Sequence, residues 1–434
     1  MNGRSKRGGR KLRGGKALNE DCTLVFLRGL RVSISGEKPA AGFALVITVV
    51  LLALLVLVVF ALSTLSRVGA AVAATGNQQV QARQHALLGL SQAVGVLQRY
   101  AAEDDVLTGI AGLTGIPSGP NQPARHWCGV WDRDGDFLHW LASGADNAPI
   151  PVLDTGDTFA LVANGSLGAD GSEKEHVRAP LQPVEINTRD RASVRLGAYA
   201  WWVGDEGVKL SAVLPEERHA IDTLITLAPD APPLTSALSY EQIALVPTTI
   251  TPTALAGQLR ANFHALGRAH LGVTGPVPVA GLLNINTTSH PFWRGLASTY
   301  NRLKPSSAAT LSPVAFADWM RDHFSAADPG AGKAANGPYP SVDLFLNSAA
   351  LTGALTAGGG SLLDFGDVMR PWLAVRSDTF RVRACGDAVN PADPTRTVAT
   401  AWCEAIVQRV KDDPAATSGR FVITYFRWLG ADDI

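Results

Sequence analysis

The sequence predicts an α+β protein: a long N-terminal helix with a transmembrane half and an amphipathic half, then an antiparallel β head with a mainly helical insertion. Three observations predict it. Ala40–Leu62 is apolar on every face, with Thr48 its sole polar side chain and no charge. Apolar residues then recur at helical spacing as far as Ala101, with no proline to interrupt them. Further on, strand-like runs bounded by turn residues flank a Pro-, Thr- and Gly-rich stretch that carries helical spacings of its own.

At about 1.5 Å per residue, a helix over Ala40–Leu62 crosses a hydrocarbon core of about 30 Å and closes its own backbone hydrogen bonds on the way. A helix buried in a soluble core is usually apolar along one stripe, not all round. Phe43, Leu45, Ile47, Leu51, Leu55, Val59 and Leu62 mark the expected span. An ordinary cleaved secretory signal has a shorter apolar region that ends at a small-residue cleavage site. Here the run is longer and continues into helix.

The chain is neutral overall, but its charge is unevenly placed. Residues 1–41 hold ten Lys/Arg against Glu20, Asp21 and Glu37, a net +7, so the remainder carries −7. Positive flanks stay on the cytoplasmic side of a span. The expected topology is therefore single-pass, with a cytoplasmic N-terminus and an exported C-terminal head. The arm RSKRGGRKLRGGK also has the composition of a phosphate-binding tail. It sits where an insertion-orienting arm is needed, and no nucleic-acid partner is expected.

After the span, Val80, Leu87, Leu90, Val94, Leu97 and Ala101 follow at steps of 7, 3, 4, 3 and 4, an a/d stripe on one helix face. Gln and Arg residues fill the positions between them. The helix is expected to end near Ala102, where Glu103-Asp104-Asp105 breaks the pattern.

A basic leader, Gly42-Phe43, and an apolar helix that runs on into an amphipathic half together resemble the N-terminus of type IV pilins and pseudopilins. The resemblance implies cleavage by a prepilin peptidase between Gly42 and Phe43, and N-methylation of Phe43. It also implies an inner-membrane location before assembly and other pilin-like subunits as partners in a pilus or secretion fibre. A leader of 42 residues is long for a prepilin. Major pilins carry Glu at the fifth mature position, where this chain has Ile47. That departure is similar to the minor pilins of the PilX type and the K-type pseudopilins of general secretion. In assembled pilins the Glu pairs with a neighbouring N-terminal amine, so a subunit with Ile47 suits a fibre tip.

The domain reading follows: a leader over 1–42, the N-terminal helix over 43–105, a β-rich part over 106–214, a helical insertion over 215–376 and terminal strands over 377–434. In the first β part, Trp127–Trp131, Phe137–Ala142, Thr158–Ala163 and Ala198–Val203 read as strands. Gly197–Val213 reads as a hairpin around Gly204-Asp205-Glu206-Gly207. In the insertion, Tyr240–Leu245, Ala254–Leu266, Pro313–Phe324 and Val342–Leu351 have helical spacing. Leu283–Thr288 and Pro340–Leu344 are similar to an Asn-rich strand and a helix-opening motif of the K type, and both are also ordinary N-cap patterns. Phe380–Cys385, Thr397–Val410 and Arg420–Leu429 form an expected antiparallel meander, punctuated by Asn390–Pro394 and by Asp412–Pro414 with Gly419.

Little in the sequence points to catalysis. The nine histidines stand in no metalloprotease spacing, and Gly165-Ser166-Leu167-Gly168 lacks the nucleophile-elbow pattern. No enzyme activity and no cofactor are expected. Asp132, Asp134 and Asp136 alternate around Gly135 like the start of a calcium loop, although the twelfth position is Ser143 and not Glu. The alternative is an Asp-Gly hairpin turn. Cys385 and Cys403 lie in two neighbouring strand-like runs and could bridge in an oxidising compartment, or stand as two buried thiols. The function these features imply is that of a minor pilin or pseudopilin. The alternative is an uncleaved, membrane-anchored exported binding protein with no fibre.

Overall fold

The computed structural model describes most of residues 41–434; the longest stretches outside it are 1–40, 212–259 and 268–282, with shorter ones elsewhere. The leader, Cys22 and the expected helix at Tyr240–Leu245 lie outside the described residues, as does most of Ala254–Leu266. The chain divides into two units, Met1–Ala70 and Ala71–Ile434.

In the first unit the described residues are helical. They belong to α1, Ala41–Tyr100, 60 residues without a break. Every side chain described from Phe43 through Ala70 is exposed. Thr48 and Thr64 return their hydroxyls to the carbonyls of Leu45 and Ala61. One helix is thus long and apolar enough to cross a membrane.

The second unit is built on a five-stranded antiparallel sheet. Its strands are β6 (Gln182–Asn187), β7 (Ser193–Asp205), β12 (Thr379–Asn390), β13 (Asp393–Val410) and β14 (Arg420–Leu429), in the order β14-β13-β12-β7-β6. The expected C-terminal meander is present, and an early hairpin completes the same sheet. Side chains alternate across it. Phe380, Val382, Ala384, Cys403 and Ala405 face α1, with Leu90, Ala93 and Leu97 packed on them. Ala200, Trp202 and Cys385 face the other way, into a tryptophan-rich core with Trp127, Trp131 and Trp140.

The buried stripe of α1 shares Leu90, Leu97 and Ala101 with the expected one but departs from it at Val80 and Leu87. Ala82, Ala86, Leu90, Ala93 and Leu97 are buried, whereas Val80 and Leu87 are 53% and 40% exposed. Small residues won because the helix lies against glycines. Gly89 sits on Tyr199, Ala200 and Ala384, and Gly386 leaves no room for a Cβ beneath Ala82 and Ala86. A Val or Leu in place of Ala82 or Ala86 would hold the two backbones apart.

A smaller sheet joins β1 (Leu107–Ile110), β2 (Cys128–Trp131) and β3 (Phe137–Trp140), and a hairpin joins β4 (Thr158–Val162) to β5 (Val177–Pro180). Between β4 and β5 a single turn of helix, α2 (Asn164–Leu167), takes up the Gly165–Gly168 stretch. The expected hairpin over Gly197–Val213 does not form. β7 pairs with β6 and β12, while the short β8 (Leu210–Ser211) runs parallel to β9 (Leu266–Gly267). The turn residues are drawn into the interior instead: Asp205, Glu206 and Lys209 are all buried, with Asp205 held by Thr108 and Asn284 and Glu206 by Arg381.

The proposed Cys385–Cys403 bridge is also corrected: both are free, buried thiols. Cys403 is registered opposite Ala384, and Cys385 opposite Trp402. A one-residue offset puts the two side chains on opposite faces of the sheet, out of reach of each other.

Between β10 (Leu283–Asn284) and β11 (Leu373–Ala374), which pair in parallel, the described helices are α3 (His290–Leu303), α4 (Pro313–His323), α5 (Val342–Leu346), α6 (Ala349–Gly358) and α7 (Leu362–Met369). Ser289, Ser341 and Ser348 cap α3, α5 and α6 by accepting from backbone N–H groups of the first turn. Their apolar faces meet around Phe292, Trp293, Tyr300, Phe316, Phe345 and Phe365.

Candidate functional site

The residues expected to mark the span lie on α1. Phe43, Leu45, Ile47, Leu51, Leu55, Val59 and Leu62 are between 43% and 71% exposed, and Gly42 lies in the same helix. Asp132, Asp134 and Asp136 lie in a turn. The Asp132 carboxylate accepts from the backbone N–H of Asp134 at 3.0 Å and of Asp136 at 2.8 Å, and Gly135 takes a left-handed φ of 90°. Asp132, Asp134 and Asp136 do not bring donor oxygens together as a group.

The chemically dense region lies on the sheet face opposite α1. Arg381 and Arg383 alternate with apolar residues on β12, so both point to this face. Glu404, registered opposite Arg383 and Arg427, is 3% exposed and accepts from Arg383 Nε at 2.8 Å, Arg381 Nη1 at 3.1 Å and Arg427 Nε at 2.9 Å. Glu206 accepts from Arg381 Nε at 2.8 Å and from Lys209 Nζ at 2.7 Å. Arg383 also donates to the Leu161 carbonyl at 2.9 Å and to Ser166 Oγ at 2.5 Å. The ring of Phe263 lies 4.7 Å from Lys209 Nζ and 4.8 Å from the Arg383 guanidinium, within cation–π range.

Burial and pairing compete at each of these groups. Burial alone would raise Glu206 and Glu404. The charges of Arg381 and Lys209 around Glu206, and of Arg383 and Arg381 around Glu404, outweigh it and hold both carboxyls at about 2. Burial pulls Arg383 down to about 10 and lowers Lys209, against the pull of Glu404 and Glu206. Arg381, bound by both carboxylates, is raised.

Beside this network a cavity of about 330 Å³ opens. Its polar lining includes Asp205, Lys209, His126, Glu175 and His264. The imidazoles of His126 and His264 are stacked, 3.6 Å between centroids and 3° from parallel. His264 Nε2 lies 2.8 Å from the Glu175 carbonyl, and His126 Nε2 lies 2.8 Å from Glu175 Oε2. The second contact is close enough for an ion pair but is not aligned as a hydrogen bond, so His126 Nε2 is a buried nitrogen without a hydrogen-bond partner. Burial, then the neighbouring His126 and Lys209, keep His264 well below the ordinary histidine range, hence neutral. Among the described residues, His126, Glu175 and His264 are the one set of His, Cys, Asp and Glu side chains whose donor atoms converge, all within 4.8 Å of one another.

Asp205 lies between this cavity and a buried polar latch. Its carboxylate accepts from the Gly207 N–H at 2.8 Å, Asn284 Nδ2 at 3.2 Å and Thr108 Oγ1 at 3.3 Å. Burial outweighs those bonds and pushes it up to about 6. Asn284 also donates to the Thr108 carbonyl at 3.0 Å. Asn286 accepts from the Tyr339 N–H at 2.8 Å and donates to the Val375 carbonyl at 3.1 Å. The Asn residues of Leu283–Thr288 thus tie β10 to β1 and to the segments around Tyr339 and Val375.

Sequence reasoning found neither the histidine–glutamate cluster nor the ion network. The cluster's members come from three distant loops and carry no shared spacing. For the network one signal existed: Arg381 and Arg383 alternate within an otherwise apolar strand, which is how a buried charged row reads. Compared with protein-family models, with curated proteins and with solved structures, the chain matches none.

Proposed function

We propose that this chain is a minor pilin or pseudopilin, of the PilX or general-secretion K type, acting as a structural subunit of a type IV pilus or type II secretion-like fibre and not as an enzyme. The observation that carries the reading is the form of α1. One unbroken helix presents a wholly apolar, exposed first part, Phe43–Leu62, and docks Ala82–Leu97 through small residues on an antiparallel sheet. A helix with that division can serve first as a membrane anchor and then as a fibre core, since both surroundings require apolar side chains on every face. The antiparallel sheet shared by early and late strands supports the same reading.

In this reading the leader is cytoplasmic, the span lies in the inner membrane, and the β-rich part is periplasmic. A prepilin peptidase cuts after Gly42, and Phe43 becomes the methylated N-terminus. Ile47 removes the carboxylate that would pair with a neighbouring subunit's amine, which suits a fibre tip. The test is intact mass and N-terminal sequencing of membrane-derived protein with and without a prepilin peptidase. The expected result is a chain that begins at methylated Phe43 only with the peptidase, and no processing of a Gly42→Val variant. An intact leader under both conditions overturns the reading and leaves an uncleaved membrane-anchored binding protein.

A further inference from the structure

We propose that His126, Glu175 and His264 form a binding site for a borderline divalent transition metal, Zn²⁺ or a close analogue, on the wall of the 330 Å³ cavity. The proposal stands apart from the fibre reading, because it concerns only groups in the β-rich unit.

The donor set is two imidazoles and one carboxylate, which Zn²⁺ takes at about 2.0–2.1 Å for nitrogen and about 2.0–2.2 Å for oxygen. A hard ion such as Ca²⁺ or Mg²⁺ prefers oxygen ligands throughout. Donor atoms no more than 4.8 Å apart need movements of only about an ångström each to reach one ion with bonds of that length. Three protein ligands leave a fourth position for water or another ligand.

Two features prepare these residues as ligands. His264 Nε2 lies 2.8 Å from the Glu175 carbonyl; donation to that oxygen fixes the tautomer and frees Nδ1, the outer-shell arrangement common to metal-bound histidines. His126 Nε2 is buried without a hydrogen bond, which is costly for a polar atom unless something else engages it. A metal ion is what would engage it.

The buried cations nearest the site are each paired with a carboxylate. Lys209 is matched by Glu206 at 2.7 Å, and Arg383 by Glu404 at 2.8 Å. Arg125 is 4.0 Å from the other oxygen of Glu175, where it can hold the carboxylate in place. Asp205, on the same cavity wall, adds negative charge once it is ionised.

The experiment uses the full chain in detergent, stripped of metal and titrated with Co²⁺ and with Zn²⁺. Wild type is expected to take up one equivalent of Co²⁺ with the visible d–d bands of a four- or five-coordinate ion, and Zn²⁺ is expected to displace it and raise Tm. His126→Ala is expected to abolish the bands. Glu175→Gln, at a side chain 39% exposed, removes a charged ligand and is expected to weaken binding by roughly a hundred-fold or more, beyond the ten- to hundred-fold typical of outer-shell partners, without changing the metal-free Tm. His176→Ala, which removes an adjacent imidazole that contacts Asn164 instead, is expected to bind as wild type does. Absence of d–d bands in wild type overturns the proposal, and so does equal binding by wild type and Glu175→Gln.

Discussion

A Cβ placed on Gly386 would stand 2.2 Å from the backbone nitrogen of Ala86 and 2.4 Å from the carbonyl oxygen of Ala82. That contact sets the distance between α1 and the central sheet. Gly386→Ala must push helix and strand apart, and is expected to destabilise the protein by about 1–3 kcal/mol or more. Gly95→Ala on the same helix meets nothing within 4 Å and is expected to stabilise by up to about 1 kcal/mol through helix propensity. Denaturant unfolding of the two variants against wild type checks the sign of each.

Glu404 is the centre of the buried ion network. Glu404→Gln leaves Arg383 buried without its counter-charge and is expected to cost about 3–5 kcal/mol, the range for a broken buried pair. Glu404→Asp, which keeps the charge on a shorter arm, is expected to cost less. Thermal melts of both variants at neutral pH measure the difference.

The same network fixes the response to acid. Glu206 and Glu404 titrate near 2 in the folded chain against an ordinary 4.5. Between those values the unfolded chain binds more protons, so their contribution is complete above about pH 4.5 and is lost as pH falls towards 2. Asp205 has the opposite sign. Its folded value of about 6 lies above the ordinary 3.8, so it favours the folded state at the acid end and that contribution is lost as pH rises through 6. Stability is therefore expected to fall steeply only below about pH 4.5. Glu404→Gln should flatten that fall, which a denaturation series across pH will show.

Asn286 joins three segments through one amide. Asn286→Ala removes the acceptor of the Tyr339 N–H and the donor to the Val375 carbonyl inside the protein. The expected cost is about 1–3 kcal/mol, set by the Tyr339 N–H, because the Val375 carbonyl still accepts from the Thr108 N–H. Hydrogen exchange at the Tyr339 amide is expected to speed up before global unfolding does.

The exposed apolar half of α1 is expected to hold the chain in a bilayer. Lys at the centre of a span costs about 2.5–3.5 kcal/mol on the insertion scale, so Leu51→Lys combined with Leu55→Lys is expected to move the protein from the carbonate-resistant membrane fraction to the soluble one. Leu51→Ile combined with Leu55→Ile should leave it in the membrane.

What the sequence determined by itself were the features that depend on chain neighbours. α1 is legible because residues 41–100 contain no proline and because its apolar half is uniform on every side. The β12–β13–β14 meander is legible from period-two runs between Pro, Asn, Asp and Gly, and the turn at Asp132–Asp136 from a favoured Asp-Gly step. The serine caps ahead of α3, α5 and α6 are local in the same way.

Tertiary structure alone decided the rest. Periodicity gives α1 a helical form but does not say which stripe is buried. Gly386, hundreds of residues away along the chain, selected Ala82 and Ala86 over Val80 and Leu87. Spacing put Cys385 and Cys403 in neighbouring strands, yet a single-residue register offset sent them to opposite faces. The turn residues after β7 read as a hairpin until Glu206 and Lys209 proved to be buried, where desolvated charges must be paired and the pairing dictates the path of the chain. His126, Glu175 and His264 meet only because the fold stacks three loops over one cavity. Backbone periodicity is written in nearest neighbours, whereas register, burial of charge and convergence of donors are settled by packing between segments that the chain order keeps far apart.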